Sequence, residues 1–285
     1  MEETKTIGTG LLPTPHDPND YQFAGVFGLP QLSELPSEYK TSEPLSIKNQ
    51  GGSDLCTSFA LCSVSESQEN TILAPEFQFA QTKKLSGDWQ SWGADLRNSC
   101  KSVVKVGSLP EDRLPQEYKL LPDSSNRNFI SNWENWPKGI ELYATKHRKQ
   151  SYFSVSGPYS TWNNLRATLW QTRNEERSIF TGITWQAQWT GTDGYIKEDS
   201  GQPSFGHAIK VYGWKDDYLI AQLSNGTSIG DRGIFYFHKE VVNRQFTFGA
   251  FSFSDLPREE AEWYIRHDTQ YRNNWLRRLI IRLWA

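Results

Sequence analysis

Three short segments carry residue types that together can do acyl-transfer chemistry. In "IKNQGGSDLCTSFA", Gln50 precedes Cys56 by six residues, and Cys56 stands where a helical pattern begins. Free N–H groups at a helix start favour negative charge, so a thiol there tends toward thiolate, its reactive form. Asp54, two residues earlier, works in the opposite direction. The Gln50 side-chain amide and the Cys56 backbone N–H are both able to donate to a developing oxyanion. In "FGHAIKVYGW", His207 opens an apolar strand behind Gly206, 151 residues after Cys56, so only the fold can pair them. In "YLIAQLSNGTSIGDRGIFYF", a polar Gly-rich turn between two strands is placed to present Asn225 or Ser224 to an imidazole.

Taken singly, each residue has a bland reading. Free Cys usually packs as a small hydrophobe. A lone strand histidine is more often satisfied by a backbone carbonyl. Cys62 and Cys100 fall on helix faces and are expected in the core, and His16, His147, His238 and His267 lack comparable context. The signal is in the order of the three segments.

The elements that must position them are legible. After a Gly-Gly turn, a helix is expected from about Leu55 to Asn70, with Ser53 or Asp54 available as N-cap. Phe59, Ala60 and Ser63 then share a face with Cys56. A second helix is expected over Ala94–Val106, stopped by Gly107, and a third from Thr161 to about Arg177 with Leu165 and Leu169 inward. After Glu176 the period changes: "SIFTGITWQAQW", "HAIKVYGW", "YLIAQL" and "GIFYFH" are short, β-branched or aromatic, and bounded by Gly or Asp turns. Helices first and antiparallel strands later give an α+β class with segregated halves. Residues 1–34, with prolines at 13, 15, 18 and 30, read as an extended arm lying on a domain at 35–255, and 256–285 as a helical appendage.

Composition bounds the alternatives. The chain has 285 residues, among them 12 Trp, 12 Tyr and 15 Phe, enough apolar mass for a sizeable core. A net charge of −3 gives no whole-chain reason to bind nucleic acid. Three cysteines exclude a disulfide framework and suit a reducing compartment. "MEETKTIGTG" has no apolar signal core, so a classical secretory route is not expected; the cytoplasm or the inside of a viral or other assembly is. No CxxC pair, HExxH helix or phosphate-cradling Gly loop suggests a metal or organic cofactor.

The three segments resemble papain-like cysteine peptidases. "IKNQGGSDLC" is similar to that family's catalytic segment, with Gln50 matching the oxyanion glutamine and Cys56 the nucleophile. "GHAIKVYGW" is similar to its histidine strand, "LSNGTSIGDRGIFYF" to its Asn-containing turn, and "LPSEYKTSEPLSIKNQG" to the start of its mature domain. The likeness runs from about Leu35 to Phe253 and is greatest to the compact prokaryotic and phage-type branch. The family's Cys-to-His interval is about 130–150 residues, and 151 sits at its edge.

The resemblance implies a helical left half, an antiparallel sheet or barrel on the right, and a cleft between them. It implies a thiol peptidase acting on peptide or protein substrates, with Cys56 and His207 catalytic, Gln50 and Cys56 forming the oxyanion hole, and Trp185, Gly206 and Ala208 lining the specificity pocket. Three positions depart from the pattern. Ser53 replaces the usual upstream disulfide cysteine, and Thr57 the aromatic after the nucleophile. Aligning "LSNG" on the family's Asn-Ser-Trp-Gly puts Leu223 where the orienting Asn belongs. On an extended segment Asn225 shares that face but lies about 6.5 Å further along. A bulge carries Asn225 into place, or a Cys–His dyad works alone, or activity is lost.

In "NNWLRRLIIRLWA", Leu276, Leu279, Ile280 and Leu283 recur at helical spacing, with Arg277, Arg278 and Arg282 on the remaining surface. This 273–285 helix suits an anionic membrane surface, a protein partner, or packing on its own domain. A rival function follows from Leu223, Asp54, the aromatic content and this tail: an inactive papain-like fold kept as a structural or interaction component of a larger assembly such as a phage particle.

Overall fold

The computed structural model describes residues 10–14, 17–88, 91–119, 134, 136–199 and 204–254. Among them, helices α1 (Phe23–Phe27), α2 (Cys56–Glu69), α3 (Pro75–Ser86), α4 (Leu96–Lys105), α5 (Glu141–Ala144), α6 (Thr161–Gln171) and α7 (Lys239–Gln245) appear in chain order. The strands are β1 (Glu38–Lys40), β2 (Ser151–Ser154), β3 (Ile179–Gln186), β4 (Tyr195–Ile196), β5 (Ser204–Lys215), β6 (Tyr218–Gln222), β7 (Ile234–His238) and β8 (Ala250–Ser254). The 256–285 appendage with its 273–285 amphipathic stretch, His16 and His267 lie outside the described residues. No helix among the described residues is long and apolar enough to cross a membrane.

The strands form one sheet in the order β2-β8-β3-β5-β6-β7-β4, with β1 paired to the end of β5. Among the described strand pairs, only β4–β7 is parallel. This is the α+β architecture expected from the change of period after Glu176.

Alternation along β3 and β5 assigns their two faces to the two halves. Ile179, Ile183 and Trp185 of β3, with Ile209 and Val211 of β5, enter a core shared with Leu165 and Leu169 of α6. Phe180 and Ala208 point the other way, onto Cys56, Ala60, Leu61 and Val64 of α2. Burying each large apolar side chain is worth about 1.5–3 kcal/mol, so both faces contribute to the fold. Every residue of α2 from Cys56 to Glu66 is buried. Its small residues (Thr57, Ser58, Ala60, Ser63, Ser65) let α3, α4 and β5 close around it.

Some local expectations are corrected. The residue capping α2 is Leu55, without a side-chain cap. The Ser53 hydroxyl instead donates to the Gln50 carbonyl at 2.7 Å. Helix α6 stops at Gln171, and Glu176 takes a left-handed turn at φ 50° before β3. Helix α3 escaped the sequence reading because Gln78, Gln81 and Thr82 share its buried surface with Phe77 and Phe79, which blurs the apolar stripe. The arm is not uniformly extended, since residues 23–27 form α1.

Candidate active site

Cys56 is the first residue of α2, the central helix, and its side chain is fully buried. Main-chain donors do surround it: the N–H groups of Ala208 on β5, Gly10 in the arm and Thr57 at the helix start all favour its ionised form. Burial outweighs them and, with Asp54 adding repulsion, pushes the thiol up to about 12. The expected drift toward thiolate is therefore overturned in this conformation. Donors at a helix end are worth about a kcal/mol, whereas full desolvation shifts a pKa by up to about 3–5 units. Cys62 and Cys100 are equally buried, and burial raises both thiols well above the ordinary range.

The arm is part of what covers Cys56, with Leu11 in the same core cluster. Gly10 accepts at its carbonyl from the Ala94 N–H at 2.8 Å, and the Leu12 N–H donates to the Ala94 carbonyl at 3.0 Å. Leu11 thus pairs parallel with Ala94 and is 6% exposed. A Cβ added to Gly10 would stand 1.6 Å from the Asp54 carbonyl oxygen, so only glycine fits there. On the opposite wall, a Cβ on Gly182 would come within 2.3 Å of Leu11 Cδ2 and 2.7 Å of Phe248 Cβ. A Cβ on Gly206 would come within 2.7 Å of the Leu11 carbonyl oxygen. Residues 10–12 therefore fill a groove between Gly93–Ala94 and the Gly182–Gly206–Phe248 wall.

His207 lies on β5 directly before Ala208, which shares a core cluster with Cys56, but it stands opposite Ile183 and so takes the sheet face of Ile209 and Val211 rather than that of Ala208. Its ring is fully buried and packs at 5.9 Å from the Trp185 ring. Gly206 and Ala208 lie beside Leu11. Trp185 does not join them. It is fully buried among Trp189, Phe235 and Phe237 in the other core, and its contribution near the site is the contact with His207.

Gln50 is held at both ends of its amide. Nε2 donates to the Ser53 carbonyl at 2.7 Å, and Oε1 accepts from the Ser224 hydroxyl at 2.5 Å. An amide nitrogen carries two hydrogens, so one remains for a further acceptor. Residues 48–50 run antiparallel to 224–226: Gln50 N–H donates to the Ser224 carbonyl and Gly226 N–H to the Lys48 carbonyl. Asn225 sits opposite Asn49, and its Oδ1 is buried without a hydrogen-bond partner, so that oxygen does not hold the imidazole. Leu223 is 1% exposed, in the same core as Trp185.

Sequence reading singled out Gln50, Cys56, His207, Gly206 and Ala208. It missed Gly182, Phe248 and the Gly93–Ala94 wall, as well as the depth to which residues 10–12 enter. A glycine inside the strand "IFTGITWQ" was the available signal, because strand glycines often mark close approach of another chain segment.

The sequence matches no protein-family model and no curated protein. Solved structures do match. Xylellain, a cysteine protease from Xylella fastidiosa, superposes with TM-score 0.72 at 18% identity, over 90% of this chain and 99% of its own. Procathepsin B S9 from Trypanosoma congolense gives TM-score 0.59 at 11% identity, over 79% and 78%. Bromelain from Ananas comosus, solved with the E64 inhibitor, gives 0.54 at 14%, over 77% and 99%. On these similarities, the chain has the papain-like cysteine protease fold.

Proposed function

We propose that the protein is a cysteine peptidase that hydrolyses peptide bonds through Cys56 and His207. The Cys56 thiolate attacks the peptide carbonyl carbon, forming a C–S bond, while His207 holds the thiol proton and then delivers it to the leaving amine. The free Gln50 amide hydrogen and the Cys56 N–H stabilise the oxyanion. Water then hydrolyses the thioester. The observation that carries this reading is that Cys56, at the start of the buried helix, shares a core cluster with Ala208, the residue next to His207 on β5. Gln50, its amide held by Ser53 and Ser224, supports the oxyanion role.

With Leu223 at the third position, His207 is steadied by packing on Trp185 rather than by an Asn amide. The orienting residue generally matters less than nucleophile or base, so a Cys–His dyad suffices for turnover. Gly206 and Ala208 contact the substrate along the groove that Leu11 now fills. Membership of the compact prokaryotic and phage-type branch is part of the same proposal, and the end-to-end cover of xylellain supports it.

The test is hydrolysis of a fluorogenic peptide carrying leucine two residues before the reporter amide, by a Gly10→Ala chain whose arm is displaced. Turnover that disappears in the Gly10→Ala/Cys56→Ala double variant upholds the proposal. A displaced arm with no turnover on any peptide favours the rival reading, an inactive fold retained for assembly, for which Leu223 is the supporting observation.

A further inference from the structure

The helical half carries a concavity of its own, between the turn that follows Glu111–Arg113 and residues 137–146. Its volume is about 610 Å³, within the range of ligand pockets, and it shares no residue with the groove over Cys56. The floor is anchored. Trp136 stacks on Tyr118 with ring centroids 4.4 Å apart and meets Phe77 edge-on at 5.6 Å, which fixes the chain just before Pro137. Gly139 turns it at φ 83°, and Ile140 and Ala144, four residues apart, then enter the same core as Trp136. Those two residues complete the buried face of α5. Leu142 and Tyr143 are left on its other side, 71% and 48% exposed, both lining the concavity. Adjacent exposed apolar side chains rimmed by charge mark an interaction surface.

The charge is of one sign. Arg113, Lys138 and Lys146 line the concavity, all three exposed, and among the described residues no Asp or Glu lines it. Arg113 lies over the Tyr143 ring, 5.3 Å from its centroid. Its contact with Asp112 is 3.8 Å long, with both side chains more than half exposed, and so contributes little. On a chain of net charge −3 this is a local reversal of sign. Phosphate groups are ordinarily held by main-chain N–H groups and hydroxyls as well as by cations, and Pro115 and Pro137 bring no N–H to this wall. A bilayer surface would meet a protruding apolar tip rather than a concavity. Spaced carboxylates need only the three cations, and a large apolar side chain between them matches the floor.

We propose that this concavity docks an acidic peptide segment that carries one large apolar residue. The carboxylates meet Arg113, Lys138 and Lys146, and the apolar side chain rests on Leu142 and Tyr143. The proposal stands apart from the peptidase reading, because none of these residues belongs to the groove over Cys56.

The experiment is fluorescence anisotropy of a fluorescein-labelled heptapeptide, six Glu around a central Phe, titrated with the full chain. The chain carries Cys56→Ala, so hydrolysis of the probe cannot mimic a loss of binding. Saturable binding below about 100 μM is expected. Lys138→Gln/Lys146→Gln, changes at exposed positions, is expected to weaken it about tenfold. Leu142→Ser/Tyr143→Ser, or a probe with Ser in place of Phe, is expected to cost about tenfold as well. Lys40→Gln/Lys215→Gln, exposed lysines of the sheet half, is the control and binds as the parent chain does. No binding overturns the proposal, as does a control variant that weakens it as much as Lys138→Gln/Lys146→Gln. An all-Glu probe that binds as tightly overturns it too, showing bare charge attraction. So does displacement of the probe by ATP or by phosphatidylserine vesicles at lower concentration than by unlabelled peptide, which assigns the site to phosphate groups. A chain that binds the probe while its Cys56 form hydrolyses nothing refutes the peptidase reading alone.

Discussion

The Ser224 hydroxyl donates to the Gln50 side-chain oxygen at 2.5 Å, joining a residue of the sheet half to the segment that leads into α2. This bond, with the main-chain pairing around it, aims the glutamine amide and leaves one Nε2 hydrogen uncommitted. Gln50→Ala is expected to lower kcat about 10²–10³-fold with little change in KM, because the lost donor acts on the oxyanion. Ser224→Ala loosens the aim and costs about tenfold. Steady-state kinetics on an arm-displaced background measure both.

If packing rather than an amide steadies His207, the third position is insensitive to polarity. Leu223→Met, a volume-conserving swap, and Asn225→Ala are each expected to leave kcat/KM within about threefold, and the Met variant to cost under about 1.5 kcal/mol. A hundredfold loss for Asn225→Ala, read from the same kinetics, would restore that residue to a catalytic role.

The reactivity of Cys56 should follow its cover. Burial disfavours the charged form, so the thiol, pushed up to about 12, stays protonated and iodoacetamide labelling stays slow well above neutral pH. A Cβ on Gly10 collides with the Asp54 carbonyl, so Gly10→Ala expels the segment and returns water to the sulfur. The inflection of labelling rate against pH then moves down toward the range of an ordinary or helix-start thiol. An unshifted inflection in Gly10→Ala would show that the arm does not control the thiol.

The wall around Leu11 should set which side chains enter the groove. A Cβ on Gly182 stands 2.3 Å from Leu11 Cδ2, so Gly182→Val is expected to displace the arm and also to exclude leucine from that position. Peptides with Ala there should keep their kcat/KM while Leu peptides lose about 10–100-fold, the scale of hydrophobic-pocket discrimination. Phe248→Ala, which widens the same wall, should shift preference toward larger side chains.

A stability prediction lies away from the groove. Lys210 is fully buried on β5, with its ammonium donating to Ser67 Oγ at 2.5 Å. Burial pushes it down to about 8 against the partial opposition of Glu66 and Glu43. Between pH about 8 and 10.5 the unfolded chain binds more protons than the folded one, so stability rises with pH across that window. Below it the penalty is present in full. Lys210→Met is expected to stabilise the fold by about 1–3 kcal/mol at pH 7, the advantage fading as pH passes that window. Thermal unfolding at pH 7 and pH 10 checks the sign.

Much of this was legible in the sequence, for physical reasons. Period-two patterning gave the strands, and a Gly-Gly turn before an apolar run gave α2. The order Gln50, Cys56, His207 suggested the chemistry proposed above. The sequence does not carry what depends on contact between distant segments. Ser224 meets Gln50 across 174 residues, and Asp20 meets Arg97 across 77. The thiolate expectation at Cys56 failed for the same reason. Local sequence shows the donors at a helix start but not the arm that excludes water from them. Trp185, read as a pocket residue from its strand, lies on the β3 face that enters the other core, which alternation alone assigns once the register with β5 is known.

The most direct measurement is intact-mass analysis of the Gly10→Ala chain after exposure to a leucine-bearing peptidyl epoxide. A single adduct on Cys56, absent from the matching His207→Ala chain although iodoacetamide still alkylates its Cys56, is the result expected of a thiol activated by its imidazole. No adduct in Gly10→Ala itself, with Cys56 open to iodoacetamide, would contradict it.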